Sequence, residues 1–370
     1  MIKKNLIAII DKKLESEHPI ITNFLLGGNK FFKSLIICER STKKKISKNK
    51  KFDTYQILRK RRNLGRFLNF FIIYFFLKNI KNSKKERLHI FVRNDPLALL
   101  AVKIAVSKND NIIFQSSFPH EIHNKIKGFL QNVIFYFLRH IKINLISVSD
   151  LGMKRLKYYF TNYNKKMVLP LFSNFKYKKI KKKNFVITYV GSHSNVRKTQ
   201  FVVESFLGFL KKIAENKKVN IKRVKFLFIG STKNERFKLI SLTKKYQKNF
   251  KFLKKIKKGK INSYLNISEV GVSIIPPLEI YKEACPTKII EYLSCKLAVI
   301  ANHEIPFQNQ LLKKNVGYRV SWNKQSIIKG LENIFLDKNI RQKKNNGYKI
   351  YKEKFNHYDF QEKFYKTILS

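Results

Sequence analysis

Short, uninterrupted apolar runs recur along this chain, each followed by a longer stretch with helical spacing. LHIFVR (88–93), NIIFQ (111–115) and NLISVS (144–149) are separated by NDPLALLAVKIAVSK and NKIKGFLQNVIFYFLRHI. A strand that is apolar at every position has both of its faces covered. Strands of that kind alternating with helices predict a parallel sheet with helices on both sides. NLIAII (5–10) and SLIICE (34–39) add two earlier strands. STKKKISKNKKFD (41–53) reads as an exposed loop, and RKRRNLGRFLNFFIIYFFLKNIK (59–81) as a helix with a basic start and an aromatic body. Pro96 suits a first helical turn, and Ser149 or Asp150 caps the helix that opens SDLGMKRLKYYF.

The alternation stops at the basic stretch LFSNFKYKKIKKKN and then restarts. NFVITYVG (184–191), VKFLFIGS (224–231), 250–254, GVSIIPP (271–277), LAVIAN (297–302) and GYRVSW (317–322) are the strands of a second half. Helices are expected over 199–214, 234–248, 260–266, 286–294, 306–313, 324–336 and 338–354. The expected fold is α/β, with two Rossmann-like domains of parallel strands. Such sheets bind ligands at the carboxyl ends of their strands, so two halves that face each other make a cleft there. The domains are read as 1–168, a basic linker at 169–185, 186–354, and a tail at 355–370 that packs back on the first domain.

With 370 residues the chain is long enough for two cores, and 44% hydrophobic content excludes a disordered protein. The formal net charge of +56 points to a polyanionic partner: nucleic acid, an anionic membrane surface or a phosphorylated substrate. Lysine is abundant together with Asn, Ile, Phe and Tyr, the mixture that AT-rich coding yields in any protein. Cys38, Cys285 and Cys295 form no CxxC pair, which fits a reduced, cytosolic setting. The start MIKKNLIAIID does not read as a signal peptide. The most apolar run, FLNFFIIYFFL (67–77), is shorter than the ~20 residues a spanning helix needs.

Three turns of the second half carry candidate chemistry. In YVGSHSNVRKTQF (189–201), Gly191 ends a strand and lets backbone approach a ligand, while Arg197 and Lys198 stand at the next helix start. Helix amides and a guanidinium suit a pyrophosphate. A solvated basic turn is the plainer reading. FIGS (228–231), with Gly230, is a similar turn with fewer marks. The third is EACPTKIIEYLSCKLAV (283–299), where a helix begins near Pro286 and Thr287. Lys288 and Glu291 share one helix face, and Glu283 precedes the helix. A carboxylate suits sugar or ribose hydroxyls, and a lysine suits phosphates. The plainer reading is an i,i+3 surface pair with a stray glutamate.

That third stretch resembles the nucleotide-sugar site of GT-B glycosyltransferases of the family-4, group 1 type. Those carry E-x7-E, the spacing of Glu283 and Glu291, and many read S-P-x-K-x-x-E-Y where this chain has CPTKIIEY. The order YVGS, FLFIGS, VGVSIIPP is similar as well, and the first half looks similar in HIFVRNDPLALLAVKIA, IIFQSSFPHE and LISVSDLGMKRL. The resemblance implies a retaining, metal-independent transfer of a sugar from a UDP- or GDP-linked donor, with no cofactor. It implies that Glu291 bonds the donor ribose, Lys288 the diphosphate, and Glu283 the transferred sugar. Arg197 takes the place of the phosphate-binding cation. Gly191, Ser192, Lys198, Gly230, Pro286 and Thr287 complete the donor site, and His120, three residues past Ser117, either replaces the acceptor-side histidine as a catalytic group or is a plain loop histidine. The chain departs from the family pattern at Ser192, where an arginine is usual. It departs also at Lys296 and Ala298, where glycine and proline are usual, and at Gln115-Ser116-Ser117, where many members have E-x-H.

The expected acceptor is a surface glycan or a lipid-linked molecule. Basic residues at 43–51 and 59–62 ahead of the aromatic helix 67–77 suit an anionic membrane. The protein is then cytoplasmic and peripheral on the inner face of the cell membrane, and no specific nucleic acid is expected. Rival readings are a basic nucleic-acid binder, or a GT-B relative with epimerase activity or none. No helix-turn-helix, RRM or KH signature supports the first.

Overall fold

The computed structural model describes residues 4–10, 32–39, 53–59, 63–83, 86–116, 125–173, 175–193, 195–215, 220–356, 362 and 364–365. The chain divides into two compact units, Met1–Pro170 with His357–Ser370, and Leu171–Asn356.

The first unit holds a seven-stranded parallel sheet in the order β3-β2-β1-β4-β5-β6-β7. Its strands are β1 (Lys4–Ile9), β2 (Phe32–Glu39), β3 (Asp53–Leu58), β4 (His89–Arg93), β5 (Asn111–Ser116), β6 (Ile143–Ser147) and β7 (Tyr163–Val168). Every residue of β4, β5 and β6 is buried, as their unbroken apolar runs require. Helices α1 (Asn63–Ser83), α2 (Pro96–Ala105), α3 (Lys125–Phe137) and α4 (Asp150–Tyr159) connect β3 through β7. These crossovers all advance in one direction along the sheet, so right-handedness puts the four helices on the same face. They pack side by side in that order. Ser149 caps α4 by accepting from the Gly152 N–H at 3.1 Å. Asp95 caps α2 by accepting from Leu97 and Ala98.

Two strands of this sheet were not expected. β3 and β7 fall on 54–58 and 163–168, stretches to which the sequence reading assigned no element. Both lie at sheet edges. β7 alternates half-buried and exposed residues and carries two lysines, so it lacks the apolar run that marks a central strand. Helix α1 starts at Asn63, not at 59. The Asn69 side chain accepts from the Arg59 N–H (2.7 Å) and donates to the Arg59 carbonyl (3.1 Å), holding that residue outside the helix.

The second unit holds a six-stranded parallel sheet in the order β10-β9-β8-β11-β12-β13. Its strands are β8 (Phe185–Val190), β9 (Val224–Ser231), β10 (Phe250–Lys254), β11 (Val270–Ser273), β12 (Ala298–Asn302) and β13 (Gly317–Val320). The helices are α5 (Thr199–Ala214), α6 (Lys233–Leu242), α7 (Lys258–Asn266), α8 (Glu279–Lys282), α9 (Thr287–Ser294), α10 (Pro306–Leu312), α11 (Lys324–Leu336) and α12 (Ile340–Lys354). An apolar core of Val202, Phe206, Phe209, Phe226, Phe228 and Ile327 fills the space between the sheet and the pair α5 and α11.

Among the described residues of the basic stretch 171–184 there is no helix or strand, yet it is stitched to the second unit. Phe172 and Phe175 are buried. The Lys178 N–H donates to Asn266 Oδ1 at 2.6 Å, Asn266 Nδ2 donates to the Lys176 carbonyl, and the Tyr351 hydroxyl donates to the Ser173 carbonyl at 3.0 Å. Lys182 and Lys344 both pair with Glu269. In the first unit Phe364 packs edge-on against Phe91, with ring centroids 6.4 Å apart. Among the described residues no helix is long and apolar enough to cross a membrane.

Candidate functional site

The candidate site lies at the carboxyl ends of β8, β9 and β11, where parallel strands hand over to helices. β8 runs into Gly191, whose N–H donates to the Ile229 carbonyl of β9 at 2.9 Å. Gly230 stands beside it with φ +123°, and a Cβ there would lie 2.1 Å from the Gly191 carbonyl oxygen. Only glycine can bring the two strand ends this close. Gly191 and Gly230, read from separate turns, are therefore neighbours.

After Gly191 come exposed Ser192 and buried His193, and then a 3-10 turn over Asn195–Arg197. Lys198 takes a left-handed conformation (φ 51°, ψ 39°) and caps α5 with no side-chain bond. Thr199 is buried, and its hydroxyl donates to the Ser192 carbonyl at 3.5 Å, bending the loop back on itself. Arg197 lays its guanidinium over the Tyr281 ring at 4.5 Å from the centroid. Tyr281 belongs to α8, the one-turn helix that ends at Glu283. The stacking thus brings the cation of the β8–α5 turn to the segment that carries Glu283.

Glu283 has αR geometry and caps α8 at its carboxyl end, where sequence had placed a plain loop. Helix α9 starts at Thr287, with Pro286 as its N-cap at φ −65°, one residue later than read from sequence. Lys288 Nζ and Glu291 Oε2 lie 3.7 Å apart on one face, as their spacing predicts. The pair is not a surface pair: Glu291 is 4% exposed, while the lysine head stays half-buried. An ionised carboxylate is held inside a fold only with charge or hydrogen-bond partners, because burial otherwise favours its neutral form.

Sequence reasoning missed the part that supports this helix. Tyr292, adjacent to Glu291 and fully buried, accepts from the Val190 N–H at 3.0 Å and donates to the Val272 carbonyl at 3.1 Å. Burial drives its phenol pKa far up, so it remains a donor at any working pH. The Tyr292 hydroxyl ties α9 to the ends of β8 and β11, one residue before Gly191. Its ring occupies the space where a Cβ on Gly271 would stand, 2.2 Å from Tyr292 Cγ. The signal was present as a GV at the start of GVSIIPP, yet nothing local connects that glycine to a tyrosine twenty-one residues on.

His193 was also missed. It is 4% exposed and packs against the rings of Tyr189 and Phe228, beside the Ile229 backbone. Burial pushes its pKa down to about 4, against a smaller upward pull from Glu235. It is a neutral imidazole at pH 7.

Lys296 occupies the place of the expected family glycine and keeps the left-handed backbone (φ 59°) that a glycine would favour. Its ammonium lies over Tyr177 at 5.3 Å, offsetting part of that strain. Cys285 and Cys295 are buried thiols pushed up to about 12 by burial, which leaves them unreactive at neutral pH. His120 and Ser117 lie outside the described residues. Gln115 and Ser116 are buried at the end of β5, and Arg155 donates to the Ser116 hydroxyl at 3.1 Å.

The arrangement at the strand ends presents backbone amides, a guanidinium, an ammonium and two carboxylates. That set suits a ligand with a diphosphate and several hydroxyls. Two all-parallel α/β units with this set define the class, the GT-B type. Residues 172–352 match the family model described as glycosyl transferases group 1, so the second unit is a glycosyl transferases group 1 domain. The protein is a glycosyltransferase of the GT-B type. Solved structures agree in fold across the whole chain. Sucrose-phosphate synthase from Thermosynechococcus elongatus is 12% identical with a TM-score of 0.74, covering 98% of each chain. A glycosyltransferase from Rickettsia africae is 15% identical with a TM-score of 0.74, covering 100% of this chain and 99% of that one. An Anabaena protein solved with UDP and glucose is 11% identical with a TM-score of 0.69, covering 98% and 99%. No curated protein matches the sequence.

Proposed function

We propose that the protein moves a sugar from a UDP- or GDP-linked donor to a surface-glycan or lipid-linked acceptor, with retention of configuration and without a metal ion or cofactor. The observation that carries this reading is the meeting of two turns: Arg197 stacks on Tyr281 of the segment ending at Glu283, and α9 presents Lys288 with the buried Glu291. Arg197 and Lys288 hold the diphosphate together with the amides after Gly191. Glu291 accepts from the ribose hydroxyls, and Glu283 from the transferred sugar. Negative charge grows on the leaving diphosphate, so fixed cations and amides lower the barrier more than they tighten the ground state. The acceptor hydroxyl attacks on the face the diphosphate leaves, and a phosphate oxygen takes its proton. The UDP and glucose held by the Anabaena relative favour a nucleotide-sugar donor.

A panel of UDP- and GDP-sugars tested by thermal shift checks the donor. One of them is expected to raise Tm in the wild type and to lose most of that effect in Glu291→Ala and Lys288→Ala. Equal shifts in all three proteins would remove the site. Proton NMR of the product tests retention, and undiminished transfer in excess EDTA tests metal independence. The proposal also places the enzyme on the cytoplasmic leaflet, at an anionic membrane, where a lipid-linked acceptor is found.

A further inference from the structure

Helix α3 is apolar on both sides. Its inner face sends Ile134 and Phe135 into the core of the first unit. Its outer face carries Ile126, Phe129, Leu130, Val133, Tyr136 and Phe137, spaced as one helical stripe. Four of these are about as exposed as a side chain on a folded surface becomes: Ile126 74%, Phe129 68%, Tyr136 71% and Phe137 74%. Scattered apolar residues on a surface need no explanation, but an unbroken stripe of six marks a contact. The neighbouring helix continues it, with Tyr158 exposed on α4 and its neighbour Tyr159 donating to Asn132 Oδ1 of α3 at 2.9 Å.

The charge around the stripe selects the partner. From residue 125 to 160 the only acidic side chain is Asp150. Exposed Arg139 and Lys142 follow the carboxyl end of α3, and exposed Lys154 and Lys157 lie on α4. Aromatic and aliphatic side chains bordered by cations match the interfacial zone of an anionic bilayer, where rings settle at headgroup level and lysines meet phosphates.

We infer that the outer face of α3, extended by α4, is the surface by which the first unit docks on an anionic lipid bilayer. This deepens the membrane reading above and moves it from the segment 43–77, where sequence placed it, to a different helix. Helix α1 also turns Phe67, Phe71 and Phe75 outward in the same helical layer, and it is the internal comparison.

The test is co-sedimentation of the full chain with vesicles of equal parts phosphatidylglycerol and phosphatidylcholine, and with phosphatidylcholine alone, at low and high salt. The wild type is expected to bind the anionic vesicles in a salt-sensitive way. Phe129→Ser with Phe137→Ser should lose roughly a hundredfold or more in partitioning, as removal of two inserted rings implies. Arg139→Glu with Lys142→Glu should lose binding at low salt. Both variants keep wild-type Tm and the wild-type response to donor, so loss of the donor site and loss of docking are read separately. Unchanged sedimentation of the serine variant overturns the inference. So does loss confined to Phe67→Ser with Phe75→Ser, which would put the docking on α1. A wild-type dimer by light scattering that becomes monomeric in the α3 serine variant, with vesicle binding intact, shows a second copy on the stripe and overturns it too.

Discussion

Gly271 and Tyr292 depend on each other. The tyrosine ring lies where a side chain on the glycine would be, and its hydroxyl bridges β8 and β11. Gly271→Ala therefore forces the ring to move and is expected to cost about 1–3 kcal/mol of stability. Tyr292→Phe keeps the ring and strands the Val190 N–H and the Val272 carbonyl, with a cost of about 1–3 kcal/mol. Urea unfolding of both variants checks this, and wild-type midpoints would contradict it. His193 sets an acid limit. Below about pH 6.5 the unfolded imidazole binds a proton that the buried one refuses until about pH 4, so stability falls as pH drops through that window. His193→Phe, which keeps a ring between Tyr189 and Phe228, should flatten the loss between pH 7 and 4 by roughly 3 kcal/mol relative to wild type. Parallel curves for the two proteins would show that His193 does not titrate as placed.

At the scale of elements, the spacing of charged residues was legible and the long-range support was not. Lys288 and Glu291 are one helical turn apart, so their shared face follows from sequence alone. The burial of Glu291 does not, because it depends on where α9 lies against the sheet. The central strands were readable because both faces are covered, and β3 and β7 were hidden because edge strands carry polar residues. The four-residue α8 is too short for any periodicity, yet it carries the Tyr281 ring under Arg197. In α3 the helix was legible and its outward face was not, since an apolar residue stands on either side. Arg197→Ala is expected to weaken donor binding about tenfold, and Arg197→Lys to recover only part of it, since an ammonium lacks the planar fork that stacks and binds two oxygens. Equal affinity of the lysine variant and the wild type, measured by titration calorimetry, would place Arg197 away from the donor.

For the whole molecule the excess of +56 is the dominant physical fact. Lysines repel one another across the surface, and salt screens them within about 8–10 Å at physiological ionic strength. Tm should therefore rise by several degrees when salt is added from low concentration to about 0.3 M, opposite to the trend for a fold held by surface ion pairs. A scan by circular dichroism checks the sign. The division into two units at Pro170 and Leu171 gives each sheet its own core, so the candidate site of the second unit stands on a scaffold of its own. The most direct test of that site is titration calorimetry of the responding nucleotide sugar into wild type, Arg197→Ala, Lys288→Ala and the double variant. If both cations hold one diphosphate, each single change weakens binding about tenfold, and the double change departs from the sum because the two act on one group. Binding that survives the double change at wild-type affinity would contradict the account.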